Sequence, residues 1–536
     1  MKKYIYAGLL CACTILGASA QAAYTDVPDG HWASEAIVRA ADAGIMNGRE
    51  DGSFGLGQEI KRCEFAAMLC RLMGWETVSD TAPFNDTEPG AWYAGSVNTL
   101  YAHNAAEQEA AFRPNAAITR EEMAVMLVKA LGYSNLAAEA FPNPFTDLTN
   151  NSGYISVAYD LGIVTGKSSD SFDPSGPALR EEGAAMMTRL SDKYRHGLSE
   201  VHGFYAISSW SQREIAAQMD HITFGWSRLE YAPDTGAYLN TTGENGNSWK
   251  IPDSSADATA YFKERSIPQN LGVFLADPAV CRAILTDPNE RTRAVNAVMA
   301  KVAEFDGVTI DFEGMKGEEL KAGLTAFLQE LRTALGEKAL YTAVHPVMRQ
   351  SEYYDAYDYR AIGAVSDRVI LMAHDYAPAA MDENLLNTDF NATPVTPFNQ
   401  VYYGLKAITD PVSGVADKSK LMLGLSVSSS AAWYLTDGKI SDPTPVHPAV
   451  ETIVKRLAQP DTRISYSEKY RNPYAFYRDD AGKEVLIWYE NEQSLQDKIV
   501  LARMFSVNAV SIWRIGAMAS SPETGMDIPN AVFSMR

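Results

Sequence analysis

Phe305-Asp306-Gly307-Val308-Thr309-Ile310-Asp311-Phe312-Glu313-Gly314 is the stretch on which the fold turns. Side chains of a β-strand alternate faces, so Thr309, Asp311 and Glu313 share one face and Val308, Ile310 and Phe312 the other. The apolar face can pack under helices. The acidic face cannot, because a buried carboxylate is costly unless it is paired or used. A strand that is apolar outside and acidic inside near its C-terminal end fits a parallel barrel, where active sites gather at that end.

Outward from this strand the same pattern recurs. Candidate strands are Val201–Ile207, His221–Trp226, Leu271–Leu275, Gly307–Phe312, Leu340–His345, Arg368–Ala373, Lys420–Ser426 and Ala509–Trp513. Amphipathic helices lie between several of them; Leu320, Leu324, Phe327, Leu328, Leu331 and Leu335 mark one apolar face. Eight β/α units predict an α/β fold, a (β/α)8 TIM barrel over 201–536. Between the last two strands, residues 471–491 read as a hairpin turning at Asp479–Gly482, a small β insertion.

The preceding part is built differently. Segments of about 60 residues repeat three times, opening at Tyr24-Thr25-Asp26, Phe84-Asn85-Asp86 and Phe145-Thr146-Asp147. Each continues with a helix start (Trp32; Trp92-Tyr93; Tyr154), a loop phenylalanine (Phe54, Phe112, Phe172) and a second helix opening at Arg62, Arg120 or Arg180. The first helix ends at Gly44 and Gly162 in repeats one and three, but at Asn104-Ala105-Ala106 in repeat two. The boundaries are 24–78, 79–138 and 139–195, with a linker at 196–200, and the repeats predict an all-α three-repeat bundle.

The chain has 536 residues and a formal net charge of −21, which argues against a nucleic-acid partner. Lys2 and Lys3, the apolar run Tyr4–Leu16 and Ala18-Ser19-Ala20 read as a signal peptide over 1–23. No later stretch is apolar enough to span a membrane, so the mature chain is expected to be exported and soluble. Cys63, Cys70 and Cys281 read as buried free thiols. Histidines show no zinc-ligand spacing, so neither metal nor cofactor is expected.

The repeats resemble S-layer homology (SLH) modules through their shared aromatic-x-Asp openings and their Arg-x-Glu or Arg-Glu-Glu helix starts. That resemblance implies non-covalent binding of a pyruvylated secondary cell-wall polymer, with Arg62, Arg120, Arg180, Trp32 and Trp92 in the grooves. A guanidinium matches a carboxylate bidentately. The departures are Lys61, where threonine is usual, and the glycines missing from repeat two.

The barrel resembles family 18 glycoside hydrolases of the peptidoglycan- and chitin-active branch. Asp306, Thr309, Asp311 and Glu313 fall on its D-x-x-D-x-D-x-E signature. Met372-Ala373-His374-Asp375 falls where strand six reads M-x-Y-D, and Trp513 at the strand-eight tryptophan. The run Ile487-Trp488-Tyr489-Glu490-Asn491 is similar to that branch as well. The resemblance implies that Glu313 is the general acid and Asp311 steadies an oxazolinium formed by the substrate's own 2-acetamido group, outside the two-carboxylate scheme. Asp306, Thr309, His374, Asp375 and Tyr376 would complete the catalytic set. Trp513, Tyr205, Met372, Trp226 and Trp433 would line the sugar site. Thr309 replaces the usual inner Asp, and His374 the usual tyrosine. The implied protein is a secreted glycan hydrolase, held to the cell wall or S-layer through its repeats. The alternatives are a lectin-like glycan binder and a structural S-layer subunit.

Overall fold

The computed structural model describes residues 24–79, 82–107, 109–139, 142–148, 150–348, 354–374, 376 and 393–536. The expected signal peptide lies outside them. These residues form two compact units that divide at Arg189–Leu190, except that 138–140 and 159–162 cluster with the second.

In the first unit each repeat supplies two helices: Ser34–Asp42 with Arg62–Met73, Ala94–Ala102 with Arg120–Ala130, and Ser152–Asp160 with Arg180–Arg195. Three backbone bonds close a ring at the centre: Ile60 N–H to Ala178 O (2.9 Å), Ala178 N–H to Ile118 O (2.9 Å) and Ile118 N–H to Ile60 O (2.8 Å). The opening aspartates act as loop caps. Asp26 accepts the amides of Phe54, Gly55 and Leu56, Asp86 those of Phe112 and Arg113, and Asp147 those of Phe172 and Asp173. These bonds hold the Asp147 carboxyl down at about 2. The departures in repeats one and two prove local. Asn104 takes φ 55°, close to the 67° of Gly44 and 66° of Gly162, and asparagine tolerates that left-handed conformation. Lys61 lacks the capping hydroxyl, yet its backbone N–H still bonds Glu64 (3.0 Å) as Thr119 N–H bonds Glu122 (2.9 Å).

The second unit is the barrel. Its strands are β1 (Glu200–Tyr205), β2 (His221–Ala232), β3 (Gln269–Leu275), β4 (Gly307–Phe312), β5 (Ala339–Val344), β6 (Arg368–Leu371), β7 (Leu421–Ser426) and β8 (Ala509–Trp513). Consecutive strands pair in parallel, and β1 pairs with both β2 and β8, so the sheet closes. Val308, Ile310 and Phe312 are buried outside the lumen, with Phe312 5.2 Å from Phe327 of the helix Glu318–Leu335. Inside, Phe204, Tyr341, Ala343, Ile370, Met372, Met422 and Ala509 form one apolar cluster against which Trp513 packs. The β insertion is larger than the predicted hairpin. Asn472–Arg478 and Glu484–Trp488 join Ala431–Thr436, Lys439–Ile440 and Arg463–Ser467 in a five-stranded antiparallel sheet. Cys63, Cys70 and Cys281 are buried free thiols, and burial pushes Cys70 and Cys281 up to about 12.

Candidate active site

Asp311 and Glu313 stand at the C-terminal mouth of β4. Asp311 faces the lumen and is only 6% exposed, and its Oδ1 has no hydrogen-bond partner among the described residues. Burial, reinforced by the charge of Glu313, raises its carboxyl well above the usual range. Glu313 follows the last strand residue; its N–H donates to Leu275 O (2.7 Å), and its side chain is half-buried. Gly314 next turns the chain away at φ 71°, where a side chain would be strained. Tyr357 backs the pair from the β5–β6 segment: its hydroxyl donates to Phe312 O at 2.6 Å, and both carboxylates help raise its pKa.

Below Asp311 runs a buried, uncharged hydrogen-bond chain. Thr309 Oγ1 lies 2.6 Å from Thr223 Oγ1 and accepts from Asn270 (3.2 Å). Thr223 Oγ1 is 2.8 Å from His202 Nε2, and His202 Nδ1 is 2.8 Å from Ser511 Oγ. Burial holds the His202 imidazole well below its ordinary pKa, hence neutral. The chain crosses strands β4, β2, β1 and β8, so reading β4 alone could not find it.

Several expected site residues lie elsewhere. Asp306 is exposed at the opposite end of β4, accepting Gln269 N–H at 2.9 Å; strand geometry puts it about 16 Å from Asp311. Tyr205 and Trp226 point outward into the helix layer. Tyr205 packs edge-on to Phe224 and Phe262 (5.3 and 5.5 Å), and the fully buried Trp226 stacks on Phe224 at 3.9 Å. Trp433 is buried in the insertion with Trp488, its indole N–H 3.4 Å from Pro443 O. Strand β6 ends at Leu371, so Tyr376 leaves the lumen face and its hydroxyl bonds Gln400 O (3.4 Å). Met372 lies in the lumen beneath Trp513, and His374 is half-buried just beyond β6. Asp375 lies outside the described residues. The Glu490 run is a structural lock, where Glu490 and Lys498 pair at 2.9 Å with both side chains 2% exposed. Asn472 and Ser494 add bonds to Glu490.

The mouth itself is aromatic. Trp513 is half-buried, with Phe204 edge-on at 5.3 Å and Trp249 tilted 31° at 5.8 Å. Trp249 in turn stacks on Phe274 (4.4 Å, 12°). Trp249 sits in an irregular segment between β2 and β3, without periodicity to mark it.

In the first unit the repeated arginines, expected in the grooves, are buried. Arg62, Arg120 and Arg180 are 2%, 3% and 8% exposed. Each donates Nε–H to the loop carbonyl of the following repeat: Phe112 O (2.7 Å), Phe172 O (2.9 Å) and Phe54 O (2.8 Å). Each also lies over that phenylalanine ring and faces that repeat's helix-start glutamate: Arg62 with Glu122 (2.7 Å), Arg120 with Glu182 (3.6 Å), Arg180 with Glu64 (3.8 Å). Trp32 and Trp92 are exposed as expected, at 62% and 66%. A cavity of about 140 Å³ is lined by Trp92, Met68, Glu64, Asn47, Arg71 and the edge of Arg180. Arg71 recurs at the same helix position as Lys129 and Arg189. Arg71 and Arg189 donate to Ile45 O and Ile163 O (both 3.3 Å), and Lys129 Nζ lies 6.0 Å from the Tyr154 ring. A second cation nine residues after each helix-start arginine was the sequence signal for them.

Fold and site together define a (β/α)8 barrel with an acid pair at its mouth, following a three-repeat helical unit in the chain. Residues 280–517 match the model for glycosyl hydrolases family 18, and residues 23–66, 83–124 and 144–184 the S-layer homology domain. The chain thus carries a region that matches glycosyl hydrolases family 18, preceded in the sequence by three that match the S-layer homology domain. It is similar to the amylopullulanase of Thermoanaerobacterium thermosulfurigenes, 31% identical over 179 residues, which are 32% of this chain and 10% of that protein. It is also 24% identical over 242 residues to the cortical fragment-lytic enzyme of Bacillus subtilis, covering 44% of this chain and 52% of that enzyme. The chain thus spans about half the length of one of these relatives and a tenth of the other. Among solved structures, the C-terminal domain of a candidate chitinase from Desulfitobacterium hafniense shares the fold, with TM-score 0.50, 18% identity, and coverage of 64% of this chain and 100% of that one. No helix among the described residues is long and apolar enough to cross a membrane.

Proposed function

We propose that this chain is a cell-surface hydrolase of glycans with β-linked N-acetylglucosamine, peptidoglycan foremost, acting by substrate-assisted retaining hydrolysis. The observation that carries it is the acid pair: a buried Asp311, whose carboxyl burial raises, beside a half-buried Glu313, at a mouth floored by Trp513. The two carboxyls share one proton. At rest it sits on Asp311. When the substrate's acetamido N–H approaches, ionised Asp311 becomes the better partner and the proton passes to Glu313. Glu313 then protonates the glycosidic oxygen, the acetamido carbonyl attacks the anomeric carbon, and Asp311 offsets the charge of the oxazolinium. Glu313 finally takes a proton from the water that opens that ring. With Thr309 below and His202 neutral, no charged group beneath Asp311 competes for the proton. The name of the cortical fragment-lytic relative favours peptidoglycan over chitin.

The S-layer homology domains support a cell-surface location. Their wall-polymer contacts are assigned to the exposed Trp32 and Trp92 and to Arg71, Lys129 and Arg189, with the buried Arg62, Arg120 and Arg180 holding the grooves in shape. A lectin-like reading is favoured by one feature, His374 in place of a tyrosine.

Peptidoglycan and chitin oligosaccharides, incubated with the protein and with Glu313→Gln, test this by released reducing ends. The variant is expected to lose about 10²–10⁴-fold. Equal release by both proteins sinks the catalytic reading, and tight binding without release supports the lectin. Retention on cell walls should vanish once their secondary polymer is stripped.

A further inference from the structure

The pairing of β4 with β5 carries the lumen face of both strands past the acid pair. Asp311 pairs with Ala343, and Tyr341 and Ala343 both point into the lumen. Two residues on, alternation puts His345 on that same face, beside Glu313 on a neighbouring strand about 5 Å away. His345 is half-buried, as Glu313 is. Its ring is held from the β5–β6 segment. It stacks on Tyr354 (centroids 4.3 Å, 26°) and lies 5.8 Å from Tyr357, while the Tyr359 hydroxyl donates to the His345 carbonyl (2.5 Å). Tyr354 takes φ 58°, a left-handed conformation that is costly for a bulky residue and persists only where its surroundings fix it. The same segment is pinned to the turn after Glu313. Asp355 accepts Gly317 N–H at 2.7 Å, and a Cβ on Gly314 would lie 4.0 Å from the Tyr354 ring.

Among the described residues, few charges face this corner. Asp311 and Glu313 come from the β4 end, Lys316 in the next turn has its Nζ 6.0 Å from the Tyr354 ring, and His374 stands just beyond β6. Cys281 sits behind, its Sγ 4.0 Å from Glu313 O; burial keeps that thiol neutral, as it does the Tyr357 and Tyr359 hydroxyls. A phenylalanine could fill the stack on Tyr354 equally well. What an imidazole adds is a charge that comes and goes at about pH 6.5. Beside Glu313 that charge works against the reaction twice. An imidazolium favours the ionised carboxylate, so the proton rests on His345 instead of on the acid. It also opposes the positive charge that develops on the sugar.

We infer that His345 is a positioning residue for Glu313 whose charge gates hydrolysis: the neutral imidazole leaves the acid its proton, and the imidazolium holds it ionised. This rests on the hydrolase reading above. As pH falls, a proton from solvent binds the imidazole while Glu313 stays a carboxylate. As pH rises, the imidazole returns that proton to solvent, and the shared proton of the acid pair can reach Glu313. The site is thereby silenced in acid surroundings.

The test uses the full chain and a neutral β-linked N-acetylglucosamine tetrasaccharide, with kcat/KM read from about pH 8 down to about pH 5. The ratio of His345→Gln to wild type should rise about 30-fold over that range, as the wild-type imidazole charges at about pH 6.5 and the glutamine cannot. A ratio that stays constant, as a packing role alone would give, or one that falls, overturns the gate. His345→Phe, which keeps a ring on Tyr354, repeats the comparison should the glutamine variant not fold. NMR titration of the imidazole ring carbons reads the pair without turnover. The signal missing from His345→Phe is that of His345, and in Glu313→Gln its midpoint should drop by about one unit. An unmoved midpoint overturns the pairing. If wild type releases no more reducing ends than Glu313→Gln, the hydrolase reading fails instead, and the NMR comparison alone decides whether His345 answers to Glu313.

Discussion

Both units bury charged side chains, but on opposite terms. In the first unit Arg62, Arg120 and Arg180 are as hidden as core leucines, and each finds a carbonyl, a ring and a glutamate in the next repeat. In the barrel Asp311 is equally hidden, yet one of its oxygens has no partner among the described residues, and burial raises its carboxyl well above the usual range. A buried charge paired with an opposite charge in the next repeat holds an architecture together. One left short is a cost the fold carries, and such groups gather where chemistry is done.

The comparison can be broken or sharpened by substitution. The largest effect should come from Arg120→Ala, which removes the bonds to Phe172 O and Thr165 O and one of the two cations facing Glu182. Urea unfolding should show the first unit destabilised by about 3–5 kcal/mol, and a loss under about 1 kcal/mol would contradict the interlock. Thr223→Val interrupts the chain beneath Asp311 and leaves Thr309 and His202 each short of a bond. A loss of about 1–3 kcal/mol in the barrel is expected from the same measurement.

Asp311→Asn should act in the reverse sense. In the unfolded chain this carboxyl ionises near 3.8, and in the folded one well above it. Below 3.8 both states are protonated and it costs nothing; as pH rises past that point, ionisation favours the unfolded state until the folded pKa is passed. The variant should therefore lose turnover yet gain stability, by at least about 1 kcal/mol at pH 7 and by little at pH 3.5. Melting curves at the two pH values check this, and a gain at pH 3.5 as large as at pH 7 would falsify the account of Asp311. The smallest change in stability should come from Arg71→Ala, within about 0.5 kcal/mol because its side chain is exposed. Its retention on cell walls should nevertheless weaken, and unchanged retention would remove Arg71 from the polymer contact.

The barrel was legible because its signal is local. Alternation in β4 put Asp311 and Glu313 on one face, and all eight expected strands are found, seven within two residues at their ends and β2 six residues longer. Residue type alone misled where facing mattered. Tyr205, Trp226 and Trp433 suit a sugar site by chemistry, but two of them occupy outward positions of their strands and the third belongs to the insertion. Asp306 shared a motif with Glu313 and sits at the other end of the strand.

By itself the sequence determined the periods: residues alternating in two along the strands, turns recurring along the helices, and an Asp–Phe–Arg–Glu set returning in each repeat. Periods arise from backbone geometry within a few residues, so the chain cannot hide them. Tertiary structure alone decided the partners. The ring that joins Arg180 back to Phe54, the relay from Thr309 to Ser511 and the approach of Trp249 to Trp513 each link residues far apart in the chain. Their pairing is set by closure of the bundle and of the barrel, which no local pattern encodes.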